Sequence, residues 1–165
     1  MGTTAVAFRD LGGSIARLPL AFWLAWDDIH GKYRRTVLGP LWITLGQAAV
    51  ICGFAVVFSG LFQQDAMTYL LYLAAGLPTW VLISSHFTDM PAAFVNSRGV
   101  IESYELPWLM QIWRRSFGYM LVFFHHIVTL LAAMAILNGM GKPVLPTVNM
   151  LYVFPALGIL LVAGF

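Results

Sequence analysis

Charged residues are absent from four long stretches of this chain. Asp, Glu, Lys and Arg do not occur in residues 36–64, 66–88, 116–141 and 143–165. A helix needs about 20 apolar residues to cross the hydrocarbon core of a bilayer, and a charge at mid-membrane is costly. The pattern therefore predicts four membrane spans, near residues 41–62, 68–88, 114–137 and 147–165.

Apolar residues also recur at helical spacing ahead of the first span. They follow one another at intervals of three or four: Ile15, Leu18, Phe22, Trp26, Ile29 and Tyr33. This stripe is typical of an amphipathic helix that lies in the membrane interface. A short soluble helix packed on another domain is the alternative interpretation. The chain thus divides into an N-terminal segment, 1–35, and a transmembrane domain, 36–165, which includes a connecting loop at 89–113.

The composition agrees with this division. The chain is 60% hydrophobic and only 10% charged, and its mean hydropathy is +0.81. In a soluble domain about a quarter of the residues are charged, so this composition excludes a soluble protein. The expected fold is all-α: a polytopic membrane helix bundle of about four transmembrane helices preceded by an amphipathic interfacial helix. A net charge of +2 gives no reason to expect a nucleic-acid partner.

The distribution of Lys and Arg predicts the orientation. One side of the predicted spans carries eight of them: Arg9, Arg17, Lys32, Arg34, Arg35, Arg98, Arg114 and Arg115. The other side carries only Lys142. Because basic loops stay in the cytoplasm, we expect the N-terminus and the 89–113 loop to be cytoplasmic.

Glycines form a regular pattern in the first span. Gly39, Gly46, Gly53 and Gly60 repeat every seven residues and lie on nearly the same helix face. Small residues let another membrane helix approach closely. We interpret Gly46, Gly53 and Gly60 as a helix-packing face, with a substrate-facing groove as the alternative.

Motifs for catalysis and cofactor binding are missing. Gly139-Met140-Gly141-Lys142 is followed by Pro143 and cannot complete a phosphate-binding loop, and the single cysteine, Cys52, excludes a multi-cysteine metal site. No cofactor is expected, and any energy source must bind to a partner. The chain is therefore not expected to be an enzyme.

Two residues within the spans, His125 and Trp80, could face a cavity. His125 and His126 are adjacent in the third span and point about 100° apart, which suits a shared metal poorly. A neutral histidine bonded to its surroundings is the simpler interpretation, and a functional role for His125 is the alternative. Trp80, beside Pro78, is the aromatic ring best placed for a cavity, although ordinary packing is also open.

Residues 24–42 resemble the beginning of ABC-2-type polysaccharide permeases. The matching features are Asp28-Ile29 in the helix, an aromatic-basic cluster at Tyr33-Arg34-Arg35, and Leu38-Gly39-Pro40-Leu41-Trp42 at the first span. Trp26 belongs to the same stretch, and Asp27 replaces a basic residue that is usual there.

A second match follows the second span. Asn96-Ser97-Arg98-Gly99-Val100-Ile101 and then Leu106-Pro107 resemble the cytoplasmic coupling segment of that family. Phe124-His125 is similar to an aromatic-histidine element of its lipopolysaccharide-type members. The ordered set covers nearly the whole chain, although family members have more membrane helices than these four, so the chain is expected to be a C-terminally truncated member.

The resemblance implies a transport subunit of the bacterial inner membrane. Two copies of the permease would bind two ATP-binding subunits and enclose a path for a polyprenyl-linked glycan, with membrane lipid around them. The glycan would be an O-antigen, a capsular polysaccharide or a teichoic acid. A membrane anchor or assembly subunit without a pore, or an ABC-2 permease for a drug or lipid, are the alternatives.

Overall fold

The computed structural model describes residues 3–63, 65–104 and 106–141. Within these ranges the chain forms helices joined by turns, and no strand occurs. The helices are α1 (Thr3–Ala16), α2 (Leu18–Tyr33), α3 (Leu41–Phe62), α4 (Ala66–Tyr104) and α5 (Leu109–Gly139). The all-α helical bundle expected from the sequence is confirmed.

In the part of the chain that the structure describes, three helices are long and apolar enough to cross a membrane. They comprise all of α3, residues Tyr69–Asp89 of α4, and α5. These agree with the spans predicted near residues 41–62, 68–88 and 114–137. The fourth predicted span, 147–165, lies outside the described residues.

Helix α4 is much longer than its apolar part. It has 39 residues and continues from Asp89 to Tyr104, through most of the segment predicted as the 89–113 loop. Charged residues such as Asp89 end an apolar run without ending a helix, because their side chains can reach water from a helical backbone. Hydropathy therefore predicts the end of the apolar run here, but not the end of the helix.

The N-terminal segment contains two helices, separated at Arg17. Pro19 lies in the first turn of α2. A proline has no N–H for the carbonyl four residues earlier, yet it is well tolerated in a first turn, so a new helix begins here. The stripe that begins at Ile15 therefore crosses a helix boundary, which its regular spacing does not reveal.

Helix α5 is the central element, since it contacts each of the other four helices. Buried Leu82 of α4 packs against Phe123 of α5, with Tyr119 and Ile127 beside them. Helix α3 joins through a separate apolar cluster in which Ile51 and Ala55 meet Leu73 and Ala74 of α4. Small residues at these contacts bring the helix backbones close together.

Helix α2 contacts α5 through a narrower face than the apolar stripe predicts. Ala21, Ala25 and Ile29 are its buried residues. Phe22 and Trp26, two of the three aromatic members of the stripe, remain partly exposed. Helix α2 therefore packs on α5 mainly through small residues, while Phe22, which contacts Phe117 of α5, and Trp26 stay partly open within the described residues.

Candidate functional site

An ion pair joins α2 to the first turns of α5. Arg114 donates from Nε to Asp28 Oδ2 at 2.8 Å and from Nη2 to Asp28 Oδ1 at 2.6 Å. The planar guanidinium thus binds both carboxylate oxygens, which fixes geometry as well as distance. The ion pair connects Asp28, which belongs to the permease-like stretch 24–42, to α5, which follows the second permease-like stretch, 96–107.

A second carboxylate joins α1 to the beginning of α5. Asp10 accepts the Trp108 N–H at 2.9 Å on Oδ1 and the Leu109 N–H at 3.0 Å on Oδ2. The first backbone N–H groups of a helix lack partners within it, and a carboxylate supplies one. One turn further along α1, Gly13 lies close to Pro107: a Cβ at Gly13 would be 3.4 Å from its Cγ.

The turn between α2 and α3 is held by its own backbone. Thr36 donates its N–H to the Tyr33 carbonyl at 3.0 Å and its hydroxyl to the same oxygen at 2.8 Å. Gly39 has a φ of +54°, a conformation that glycine adopts without strain. The turn is therefore ordered by specific bonds, and Gly39 is the residue whose conformation lets the chain enter α3.

An open cavity of about 600 Å³, here called the turn cavity, lies at this turn. Its lining mixes charged, polar and apolar residues: Asp27, His30, Gly31, Tyr33, Arg34, Thr36, Val37, Leu38, Gly39 and Pro40. Arg34 is exposed there, and Arg35 follows it in the turn. The cavity thus combines the Arg34 guanidinium and the Asp27 carboxylate with hydroxyl groups and an apolar rim.

A row of aromatic rings on α2 begins at His30, which lines the turn cavity. The His30 ring lies 4.4 Å from that of Trp26, and its Nδ1–H donates to the Trp26 carbonyl at 3.0 Å. Phe22 continues the row, with its ring 6.5 Å from Trp26 and 5.7 Å from Phe117 of α5. The row leads from the α2–α5 contact to the cavity.

Only part of the predicted coupling segment is described in detail. The last part of α4 contains most of the segment, and the structure does not describe the side chains there: Asn96, Ser97, Gly99, Val100 and Ile101. Pro107 is described: it is buried beside α1. The structure thus brings one end of the segment against a helix that the sequence pattern did not predict.

The predicted packing glycines lie away from the other described helices. A Cβ at Gly46, Gly53 or Gly60 would meet nothing within 4 Å. The buried residues of α3 (Ile51, Ala55 and Ser59) lie nearly opposite on the helix. Packing through this glycine face stays a prediction that needs an element beyond the described residues. Trp42, at the start of α3, is exposed as well.

The two cavity candidates of the spans take different positions. Trp80 is 66% exposed and does not line either cavity described here. His125 is half-buried, and its Nδ1–H donates to the Leu121 carbonyl at 2.8 Å within α5. Its neighbour His126 instead lines a small cavity between α4 and α5. Adjacent residues point in different directions, so the sequence alone could not choose between them.

The chemistry of these sites favours binding. No group of three His, Cys, Asp or Glu side chains capable of holding a metal occurs among the residues searched, namely those that the structure describes. The turn cavity offers charged, hydroxyl and apolar contacts, and two of the three N-terminal carboxylates, Asp10 and Asp28, bind to α5 or to the residue before it. Comparison with protein-family models, characterised proteins and solved structures gives no match. Three apolar helices of sufficient length give the chain the character of a multi-pass membrane protein.

Charge exchange tests the α2–α5 ion pair. Arg114→Asp should destabilise the docking of α2, because two carboxylates would then face each other. Asp28 is 50% exposed, so the expected loss is only about 0.2–1 kcal/mol. Thermal unfolding in detergent micelles should show the loss, and Asp28→Arg combined with Arg114→Asp should recover most of it. Asp27→Arg with Arg114→Asp is the matched control and should not recover it.

Proposed function

We propose that this chain is the transmembrane permease subunit of an ABC transporter that exports lipid-linked polysaccharide across the bacterial inner membrane. The cargo would be of O-antigen, capsular or teichoic-acid type. The observation that carries the proposal is the turn cavity, because residues of the first family-like stretch (Tyr33, Arg34 and Gly39) meet at one open cavity beside the first span. The chain binds and moves cargo, and ATP hydrolysis takes place on a separate subunit.

The turn cavity suits the phosphate end of a lipid-linked glycan. The excess of Lys and Arg on this side of the spans favours a cytoplasmic position for the cavity, where such a glycan would be assembled. Arg34 would pair with a phosphate oxygen, and the exposed Val37 and Leu38 would contact the isoprenoid chain. Charge and apolar contact are both needed, because the cargo has a charged head on an apolar tail.

The contacts around Pro107 suit a coupling role. A movement of the 96–107 segment under an ATP-binding subunit would act on the Trp108 and Leu109 amides that Asp10 binds. Helix α1 would follow the segment, and α2 would follow α5 through the Asp28–Arg114 pair. Two copies of the permease and two ATP-binding subunits would together enclose the path.

Reversal of charge in the turn cavity tests this function. In a strain that lacks the gene, Arg34→Glu should fail to restore surface polysaccharide, since a carboxylate repels the phosphate that arginine attracts. Arg9→Glu, at an exposed position of α1, is the matched control and should restore it. Surface glycan is measured by gel electrophoresis of cell-envelope extracts.

Co-purification provides the complementary measurement. The tagged chain should isolate with an ATP-binding subunit, and Arg34→Glu should keep that subunit bound. If no ATP-binding subunit is bound and Arg34→Glu has no effect on surface glycan, the chain is a membrane anchor or assembly subunit. If the subunit binds but surface glycan is intact without the gene, the cargo is a drug or lipid.

A further inference from the structure

Helix α2 meets α5 where the charge-free stretch of α5 begins. Asp28 binds Arg114, and the Phe22 ring lies 5.7 Å from that of Phe117. These two contacts lie on either side of the point where the charge-free stretch 116–141 starts. Because charge is costly inside the hydrocarbon, the start of such a stretch indicates the membrane boundary. The contacts therefore favour a position for α2 at the height of the lipid headgroups.

Helix α4 has its own boundary at the same level. Its charge-free stretch, 66–88, is followed by Asp89, which accepts a hydrogen bond from the Tyr119 hydroxyl at 3.3 Å. Tyr119 is only one turn inside the charge-free stretch of α5. The third apolar helix, α3, begins at Leu41, directly after the turn that ends α2. The start of α3 and the basic residues before it thus belong to the boundary that α4 and α5 share.

The residues before α3 carry an excess of positive charge. Five Lys and Arg residues and three Asp residues precede Leu41. Asp28 is paired with Arg114, and Asp10 points to the amides at the start of α5, so Asp27 is the carboxylate left to offset the cations. Within the part of the chain that the structure describes, these basic residues form no ion pair: Arg9, Arg17, Lys32, Arg34 and Arg35.

Three of these cations form one run, and all of them are exposed: Lys32, Arg34 and Arg35. The turn after them is tightly folded, since the Thr36 N–H donates to the Tyr33 carbonyl at 3.0 Å and the Leu41 N–H to the Leu38 carbonyl at 3.2 Å. The run is therefore held close to the first residues of α3. Leu41 and Trp42, at this end of α3, are 55% and 49% exposed.

This arrangement matches a lipid with an anionic headgroup. Exposed cations beside exposed apolar side chains fit a headgroup phosphate and the acyl chain attached to it. The headgroup of phosphatidylcholine has its own cation, whereas that of phosphatidylglycerol has a net negative charge. Each basic residue near a membrane surface favours the anionic lipid by roughly fivefold. Charge complementarity therefore selects one class of phospholipid at this surface.

We propose that Lys32 and Arg35, together with Leu41 and Trp42, form a binding surface for an anionic phospholipid of the surrounding membrane. The two cations bind the headgroup, and the two apolar side chains contact the upper part of an acyl chain. Arg34 lines the turn cavity and is left to that cavity. The proposal does not depend on the transported cargo, because the phospholipid belongs to the bilayer itself.

Photo-crosslinking identifies the occupant of this surface. A benzophenone side chain is placed at position 41 of the full chain, which is reconstituted in nanodiscs with equal amounts of phosphatidylglycerol and phosphatidylcholine. Mass spectrometry then counts the adducts of each lipid. At position 41, phosphatidylglycerol adducts should outnumber phosphatidylcholine adducts by roughly fivefold or more. Position 62 is the matched control, because Phe62 ends the same helix and is also 55% exposed. It should show no preference for phosphatidylglycerol.

Neutral substitutions identify the cations that select the lipid. Lys32→Gln and Arg35→Gln should each lower the ratio of the two adducts at position 41 by roughly fivefold. Arg9→Gln removes the same charge from α1 and should leave the ratio unchanged. Its neighbour Asp10 binds the Leu109 amide, seven residues or about 10 Å before the charge-free stretch of α5, and salt screens charge over about 8 Å.

Adducts at position 62 report on insertion, and their unchanged yield shows that each variant is in the bilayer. Four results would each overturn the proposal: equal lipid ratios at positions 41 and 62, a ratio that survives both Lys32→Gln and Arg35→Gln, an equal fall in Arg9→Gln, or adducts at position 41 with a second copy of the chain in place of lipid.

Discussion

A cysteine at Gln63 should react with an impermeant thiol reagent in intact cells, whereas a cysteine at Lys32 should not. Both positions are exposed in the structure. Lys32 lies in the last turn of α2, before α3 begins, and Gln63 directly follows the last residue of α3. Helix α3 has 22 residues, or about 33 Å, which is enough to separate the two positions by a bilayer.

The expected direction comes from the basic residues. Eight Lys and Arg residues lie on the Lys32 side of the spans, and cytoplasmic loops carry such an excess. The experiment is made in a Cys52→Ser background, because Cys52 is exposed on α3. Both cysteines should react once the membrane is permeabilised. Labelling of Lys32→Cys in intact cells would reverse the orientation and contradict a cytoplasmic turn cavity.

Replacement of Ala25 by Trp should release α2 from α5. Ala21 and Ala25 are 0% and 1% exposed, so no space remains for a larger side chain between the two helices. Inserting atoms into a packed contact costs about 1–3 kcal/mol. Because Asp28 lies one turn from Ala25, the displaced helix should also lose its ion pair with Arg114.

Hydrogen exchange of backbone amides measures this release. Amides of α2 should exchange roughly ten to a hundred times faster in Ala25→Trp, as 1.4 kcal/mol corresponds to about a factor of ten. Leu20→Trp is the control, because Leu20 lies on the same helix and is exposed. Equal protection of α2 in both variants would show that α5 is not what holds α2 in place.

Hydropathy predicted the spans well because desolvation of charge controls them directly. Residues 41–62 were predicted for the first span, and α3 occupies Leu41–Phe62. The same signal could not predict that α4 continues to Tyr104 or that α1 exists, since both depend on contacts outside an apolar run. Helix α1 is held by the Asp10 contact with the Trp108 amide, which joins residues 98 positions apart.

The candidate sites differ in the same way: one is made of residues that are neighbours in the sequence, and the other depends on how two helices pack. Tyr33, Arg34 and Gly39 are close in sequence, so a local pattern could group them before the turn cavity was known. The small cavity between α4 and α5 depends on the rotation of α5, which the packing of Phe123 on Leu82 determines. That rotation turns His126 towards α4, and no local pattern around these adjacent histidines distinguishes them.

Asp10 and Asp28 are far in sequence from the residues that they bind at the start of α5, and this separation affects the order in which the protein folds during synthesis. A ribosome completes α1 and α2 before α5 exists, and Asp28 precedes its partner Arg114 by 86 residues. Since α3 and α4 are synthesised in between, the N-terminal helices have no docking site during their insertion. Asp10 and Asp28 therefore lack these partners until residues 108–114 have been synthesised. Docking of α1 and α2 is therefore a late step in biogenesis, and arrival of α5 completes it.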